Sequence, residues 1–193
     1  MTDDRFSHPT YLIRRKVLKL FGGAFHVYDP GGGLCFYSKM KAFKLREDIR
    51  LYTGEDMQEE VLLIQALQII DFSAAYTVID SGTGQKVGTL KRRGWKSLFR
   101  DEWIIMDAQD GEIGAIREEN IVLALIRRFL TNLVPQKFEA TVGGARVCRY
   151  RQNFNPFVLK LTADFTPDAQ GVYDRRLGLA AGILLAAIEG RQN

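Results

Sequence analysis

The chain has 193 residues, 46% of them apolar and 26% charged, with a formal net charge of +4. That is the balance of a soluble globular protein long enough to bury a sizeable core, at the upper end of a single domain. So mild a positive charge does not favour a dedicated nucleic-acid binder, which concentrates more of it on one face.

The first residues, MTDDRFSHPT, begin with acids and carry no apolar run, so they do not read as a secretory signal. Residues 1–10 are expected to be a flexible N-terminus, and 11–193 one domain. Strand-like alternation starts with LIRRKVLKL (12–20), which would place Arg14, Arg15 and Lys16 on an exposed face. Next comes AFHVYDPGGGLCFYSKM (24–40), an apolar strand, a turn and a second strand. The same plan recurs in 74–92, 102–118 and 138–152. Three of the turns, DPGGG, DSGTG and DAQDG, start with Asp29, Asp80 and Asp107. An Asp there accepts bonds from nearby backbone amides, and the glycines take positive φ. The fourth turn uses Gly143 and Gly144 as a tight pair. All four read as β-hairpins. Further strands are expected within 41–54, 61–72 and 157–165.

In 118–134 the period changes. Val122, Leu125, Ile126, Phe129, Leu130 and Leu133 fall on one face of an amphipathic helix, which Pro135 ends. This helix is expected outside the sheet or over a barrel mouth.

The run from Leu177 to Ile188 is apolar throughout. As a helix it rises about 18 Å, against the roughly 30 Å of a bilayer core. It is too short to span, and a helix apolar on all sides needs surroundings on all sides. Ala180, Ala181, Gly182, Ala186 and Ala187 keep it thin, Asp174 is placed to cap it, and Gly190 sits where it stops. The expected fold is therefore mainly β: a closed antiparallel barrel around a central apolar C-terminal helix, with one outer amphipathic helix.

The order of elements resembles the LURP-one-related proteins, relatives of tubby C-terminal domains and phospholipid scramblases. The match is carried by the stretch up to YTVID, by Thr83, Gly84, Val87 and Gly88 of the hairpin turn, by GWKSLFRDEW, and by the closing DRRLGLAAGILLAAIEG. It runs over nearly the whole chain from about Tyr11. The resemblance implies a barrel of about twelve strands around a central helix. It also implies a link to membrane lipid, since tubby domains bind phosphoinositide headgroups. The scramblases' acidic calcium segment and cysteine-rich stretch have no counterpart here, which speaks against calcium-dependent scrambling.

The leading candidate site lies in KRRGWKSLFRDEW (91–103). Lys91, Arg92, Arg93, Lys96 and Arg100 surround Trp95, Leu98 and Phe99. Basic side chains attract anionic lipid, and Trp suits a membrane interface. The other reading is a solvated connection whose charges pair with Asp101 and Glu102. Arg175 and Arg176 read as the solvated rim of the buried helix, with an anion site at its N-terminus as the alternative.

Catalytic chemistry is harder to find. GTGQKVG has the wrong spacing for a dinucleotide loop, DAQDGE places its Gly one position early for a calcium loop, and only His8 and His26 are present. Cys35 and Cys148 lie far apart without partners at metal-ligand spacing, and read as free, half-buried thiols of a reducing cytoplasm. No cofactor or metal is expected. The sequence thus favours a non-enzymatic barrel, cytoplasmic or peripheral at the membrane, that binds an anionic lipid headgroup or other anionic ligand. The alternatives are a protein-interaction module using the barrel exterior and the 118–134 helix and, last, an enzyme with a carboxylate or metal site at a barrel mouth.

Overall fold

In the strands the side chains alternate between two environments, and the apolar set points to one shared interior. The computed structural model describes residues 3–18, 22–40, 48–67, 74–93, 102–119, 136–153 and 158–188. Twelve strands follow one another: β1 (Thr10–Leu18), β2 (Gly22–Tyr28), β3 (Leu34–Met40), β4 (Ile49–Tyr52), β5 (Glu60–Ala66), β6 (Ala75–Asp80), β7 (Lys86–Arg92), β8 (Glu102–Met106), β9 (Glu112–Glu118), β10 (Lys137–Val142), β11 (Ala145–Asn153) and β12 (Leu159–Asp164). Each pairs antiparallel with its neighbours in sequence, and β12 returns to β1, closing the barrel. Closure leaves no sheet edge open to pairing with another chain. The expected outer helix over 118–134 lies outside the described residues beyond Glu119.

The four expected hairpins are present, with the Asp bonds as read; positive φ falls on Gly32 and Gly84 in the first two turns, but on Asp110 and not on Gly111 in the third. The Asp29 carboxylate accepts from Gly33 N at 2.8 Å, that of Asp80 from Thr83 N at 2.9 Å, and that of Asp107 from Gln109 N and Gly111 N. Gly143 and Gly144 both have positive φ, at 57° and 82°, as a two-residue hairpin turn of the primed type requires. Each of these hairpins also carries a register shift just before its turn.

The apolar C-terminal run forms α1 (Arg175–Ile188). Its residues from Leu177 to Ala187 are buried, packed among inward side chains that include Ile13, Phe25, Leu62, Tyr76, Trp103, Phe138 and Tyr150. Asp174 caps the helix, accepting from Arg176 N at 2.9 Å. Small residues let the strands close in. A Cβ on Gly178 would fall 2.6 Å from Phe165 Cζ, and one on Gly182 2.6 Å from Ile13 Cδ1. No helix among the described residues is long and apolar enough to cross a membrane.

The residues before β1, expected from sequence to be flexible, make specific contacts from Asp3 onward. Phe6 is buried and stacks on Phe36 at 4.6 Å. The Tyr11 hydroxyl donates to Arg5 O and accepts from His8 N.

Three sequence readings need correction. Arg15 is not on the exposed face: it is 4% exposed and points inward, donating to Ala186 O at the C-terminal end of α1. In a strand, consecutive side chains face opposite ways, so Arg14 and Arg15 cannot share a face. Arg175 and Arg176 are not a solvated rim, since each is engaged by carboxylates. Arg175 bonds Asp168 at 2.8 Å and lies over the Phe165 ring, while Arg176 bonds Asp80 and Asp174, both at 2.6 Å. Both thiols are buried, not half-buried.

Candidate functional site

Of the eight residues singled out in 91–100, Lys91, Arg92 and Arg93 are described; Trp95, Lys96, Leu98, Phe99 and Arg100 lie outside the described residues. Lys91 is exposed near the end of β7, beside Ala75 and Ile104. Arg93 bonds the Glu102 carboxylate at 3.1 Å, and Arg117 bonds the same group at 2.7 Å. One carboxylate thus sits between two guanidiniums. The expected pairing with Glu102 is present, and it holds Arg93 beside the sheet.

A second basic surface lies half-way round the barrel, since β7 is six strands from β1 in the closed order. On β1 the outward Arg14 stands directly opposite Lys160 of β12. One pleat along, Thr162 of β12 faces Arg151 of β11, and Arg151 faces Lys137 of β10. Among the described residues none of these four cations is ion-paired, whereas neighbouring Arg149 and Arg146 reach Asp164 and Glu139. Arg14 Nε is buried and has no hydrogen-bond partner among the described residues.

Arg14 and Lys160 line a groove of about 530 Å³, open to solvent, with Thr10, Thr162, Tyr28 and the Asp29 turn along its sides. Two cations, two hydroxyls and a tyrosine are suited to a phosphate or carboxylate group. Sequence reasoning missed this groove. The available signal was RRK at 14–16, but only the register of β1 against β12 brings Lys160 opposite Arg14.

His26 stands on the outer face between Arg14 and Tyr37. Its Nε2 meets Glu55 at 2.9 Å, and it packs on Tyr28 and Tyr37. At the turn end of the groove a different cluster forms. One donor atom each from His8, Asp29 and Cys35 come within 4.8 Å of one another. Burial and then the Asp29 carboxylate push the Cys35 thiol up to about 11.

No family model matches the chain, and no curated protein sequence matches it. Among solved structures, the chain is similar to an X-ray structure of a protein from Arabidopsis thaliana. The likeness covers 99% of this chain and 97% of the plant chain, with a TM-score of 0.50 and 14% sequence identity. At that identity the two share a fold, and the fold is the extent of the likeness.

Proposed function

We propose that the protein is a non-enzymatic barrel that binds the phosphate of an anionic lipid headgroup on its outer surface, peripheral to a membrane in the cytoplasm. The observation that carries this reading is the Arg14–Lys160 pair: two opposed cations without carboxylate partners among the described residues, lining an open groove. Unneutralised Lys and Arg near an anionic surface contribute about 1 kcal/mol each. The resemblance to tubby-like proteins points the same way, and the stretch 91–100 remains a second contact of the same chemistry.

The test is co-sedimentation of the full chain with phosphatidylcholine vesicles, with and without phosphatidylserine or a phosphoinositide. Binding is expected only to the anionic vesicles. Replacing Arg14 and Lys160 by Ala should cost about 2 kcal/mol, roughly thirtyfold in affinity. Reversing Arg92 and Arg93 to Glu tests the other patch. Because the two patches lie on opposite sides of the barrel, their effects separate. Loss only in the Arg92/Arg93 variant moves the site to β7, and unchanged binding in both variants rejects the reading.

A further inference from the structure

The groove ends at the Asp29 turn, and behind that turn the fold gathers three side chains that sequence spacing kept apart. His8 precedes β1, Asp29 opens the β2–β3 hairpin turn, and Cys35 starts β3. Each offers a different donor: an imidazole nitrogen, a carboxylate oxygen and a sulfur. One atom of each lies within 4.8 Å of the other two. From these geometries we propose that His8, Asp29 and Cys35 form a site for a divalent transition ion of the zinc type, with one coordination position left for water or another ligand. The proposal does not depend on the anion reading of the groove.

Donor chemistry selects the ion. Calcium and magnesium take oxygen ligands, whereas mixed nitrogen, oxygen and sulfur sets suit zinc. Tetrahedral bonds of about 2.0–2.3 Å place neighbouring ligand atoms roughly 3.3–3.7 Å apart. A cluster already within 4.8 Å needs to close by about 1 Å.

The supports around the three ligands are already in place. Asp29 Oδ1 accepts from Gly33 N, which fixes the carboxylate through a backbone bond of the kind that orients metal-binding groups. His8 is held by its own amide, which donates to the Tyr11 hydroxyl at 3.0 Å, and its ring lies edge-on to the Tyr11 ring. Cys35 sits in the wall of the barrel beside the Phe6–Phe36 stack. The nearby Arg5 guanidinium is engaged by Asp3 at 2.8 Å, so its charge opposing a cation is offset. Such an ion would tie the segment before β1 to the β2–β3 turn.

Cobalt(II) reads the site directly, because a thiolate–cobalt bond gives a near-ultraviolet charge-transfer band. The full chain, stripped with a chelator, is titrated with Co²⁺ and then with Zn²⁺. The expected result is a band saturating at one equivalent, displaced by zinc, and a zinc-dependent rise in Tm. Cys35→Ser should abolish the band, and because Cys148 is buried in the core, no other thiol should replace it. His8→Ala, a partly exposed residue outside the strands, should fold normally and bind Co²⁺ at least about tenfold more weakly, the least that loss of a site residue costs. The proposal is overturned if no band forms at one equivalent, if the band persists in Cys35→Ser, or if His8→Ala binds with unchanged affinity.

Discussion

The guanidinium of Arg15, on the inward face of β1, donates to the carbonyl of Ala186 in the last turn of α1, 3.0 Å away. The last carbonyls of a helix lack intrahelical partners, and inside a barrel no bulk water replaces them. A cation there also suits the negative end of the helix dipole. Charged hydrogen bonds of this kind contribute about 1.5–3 kcal/mol. Arg15→Met should therefore lower unfolding stability by about 2–3 kcal/mol, read from the urea midpoint at unchanged m-value. A change under about 0.5 kcal/mol contradicts the assignment.

At the other end of the helix, space is the limiting quantity. A Cβ at Gly178 would meet the Phe165 ring edge and lie 3.0 Å from Tyr173 Cε1, and neither ring has a flexible end to yield. At Gly182 the nearest obstruction is the terminal methyl of Ile13, which can turn aside. Alanine favours a helix over glycine by about 1 kcal/mol, whereas overpacking costs about 1–3 kcal/mol. Gly178→Ala should be clearly destabilising and Gly182→Ala nearly neutral. Thermal melts showing the opposite order would falsify this packing.

Acid should weaken the seat of α1. Burial pushes the Asp168 carboxyl up, but the Tyr173 amide, Arg175 and the Val172 amide outweigh it, so its pKa lies below the ordinary value. Asp80 behaves alike: burial raises it, and Arg176 and Thr83 bring it below the ordinary value. A carboxyl with a depressed folded pKa stabilises the fold above the unfolded value, near pH 4. That stability is lost as pH falls through the folded pKa. The urea midpoint should thus be flat near neutrality and fall below about pH 4. Asp168→Asn should lower the neutral plateau and make the acid limb shallower. An acid limb identical to the parent's would show that Asp168 does not carry it.

Removal of α1 tests enclosure against anchoring. A chain ending at Tyr173 exposes the whole barrel interior and should lose cooperative unfolding, read by near-ultraviolet circular dichroism and urea titration. A soluble truncated chain with a sharp transition would mean the strands close without the helix.

Binding to anionic vesicles should also weaken steeply with added salt, because exposed charges separated by more than about 10 Å are screened at 0.1 M. The Arg14/Lys160 double alanine variant should show a shallower dependence on salt than the parent. Equal slopes would place the electrostatic contact elsewhere.

Much of the fold was legible because its signals are local. Asp29, Asp80 and Asp107 bond amides two to four residues away, and Gly143 and Gly144 adopt the φ their own turn demands. The four hairpins could therefore be read from short windows. The twelve apolar residues of the final run likewise determined an enclosed helix, since nothing about them depended on a distant partner except that something apolar surround them. Arg15 was misread because a strand within an imperfectly alternating RRK run does not say which of two adjacent arginines faces in. That choice was made by the helix end waiting inside the barrel. Arg176 could not be separated from a solvated rim until the β6–β7 hairpin brought Asp80 to within 2.6 Å, across 96 residues of chain, whereas Arg175 is held by Asp168, only seven residues away.

The sequence by itself determined the turns, the strand periodicity and the buried character of α1, because hydrogen bonds and hydrophobic pattern within a few residues suffice for them. Only the tertiary structure decided that Lys160 opposes Arg14 and that His8 and Cys35 meet at Asp29. Those meetings follow from the register of β1 against β12 and β2 against β3, which closure of the whole barrel sets and no short stretch encodes.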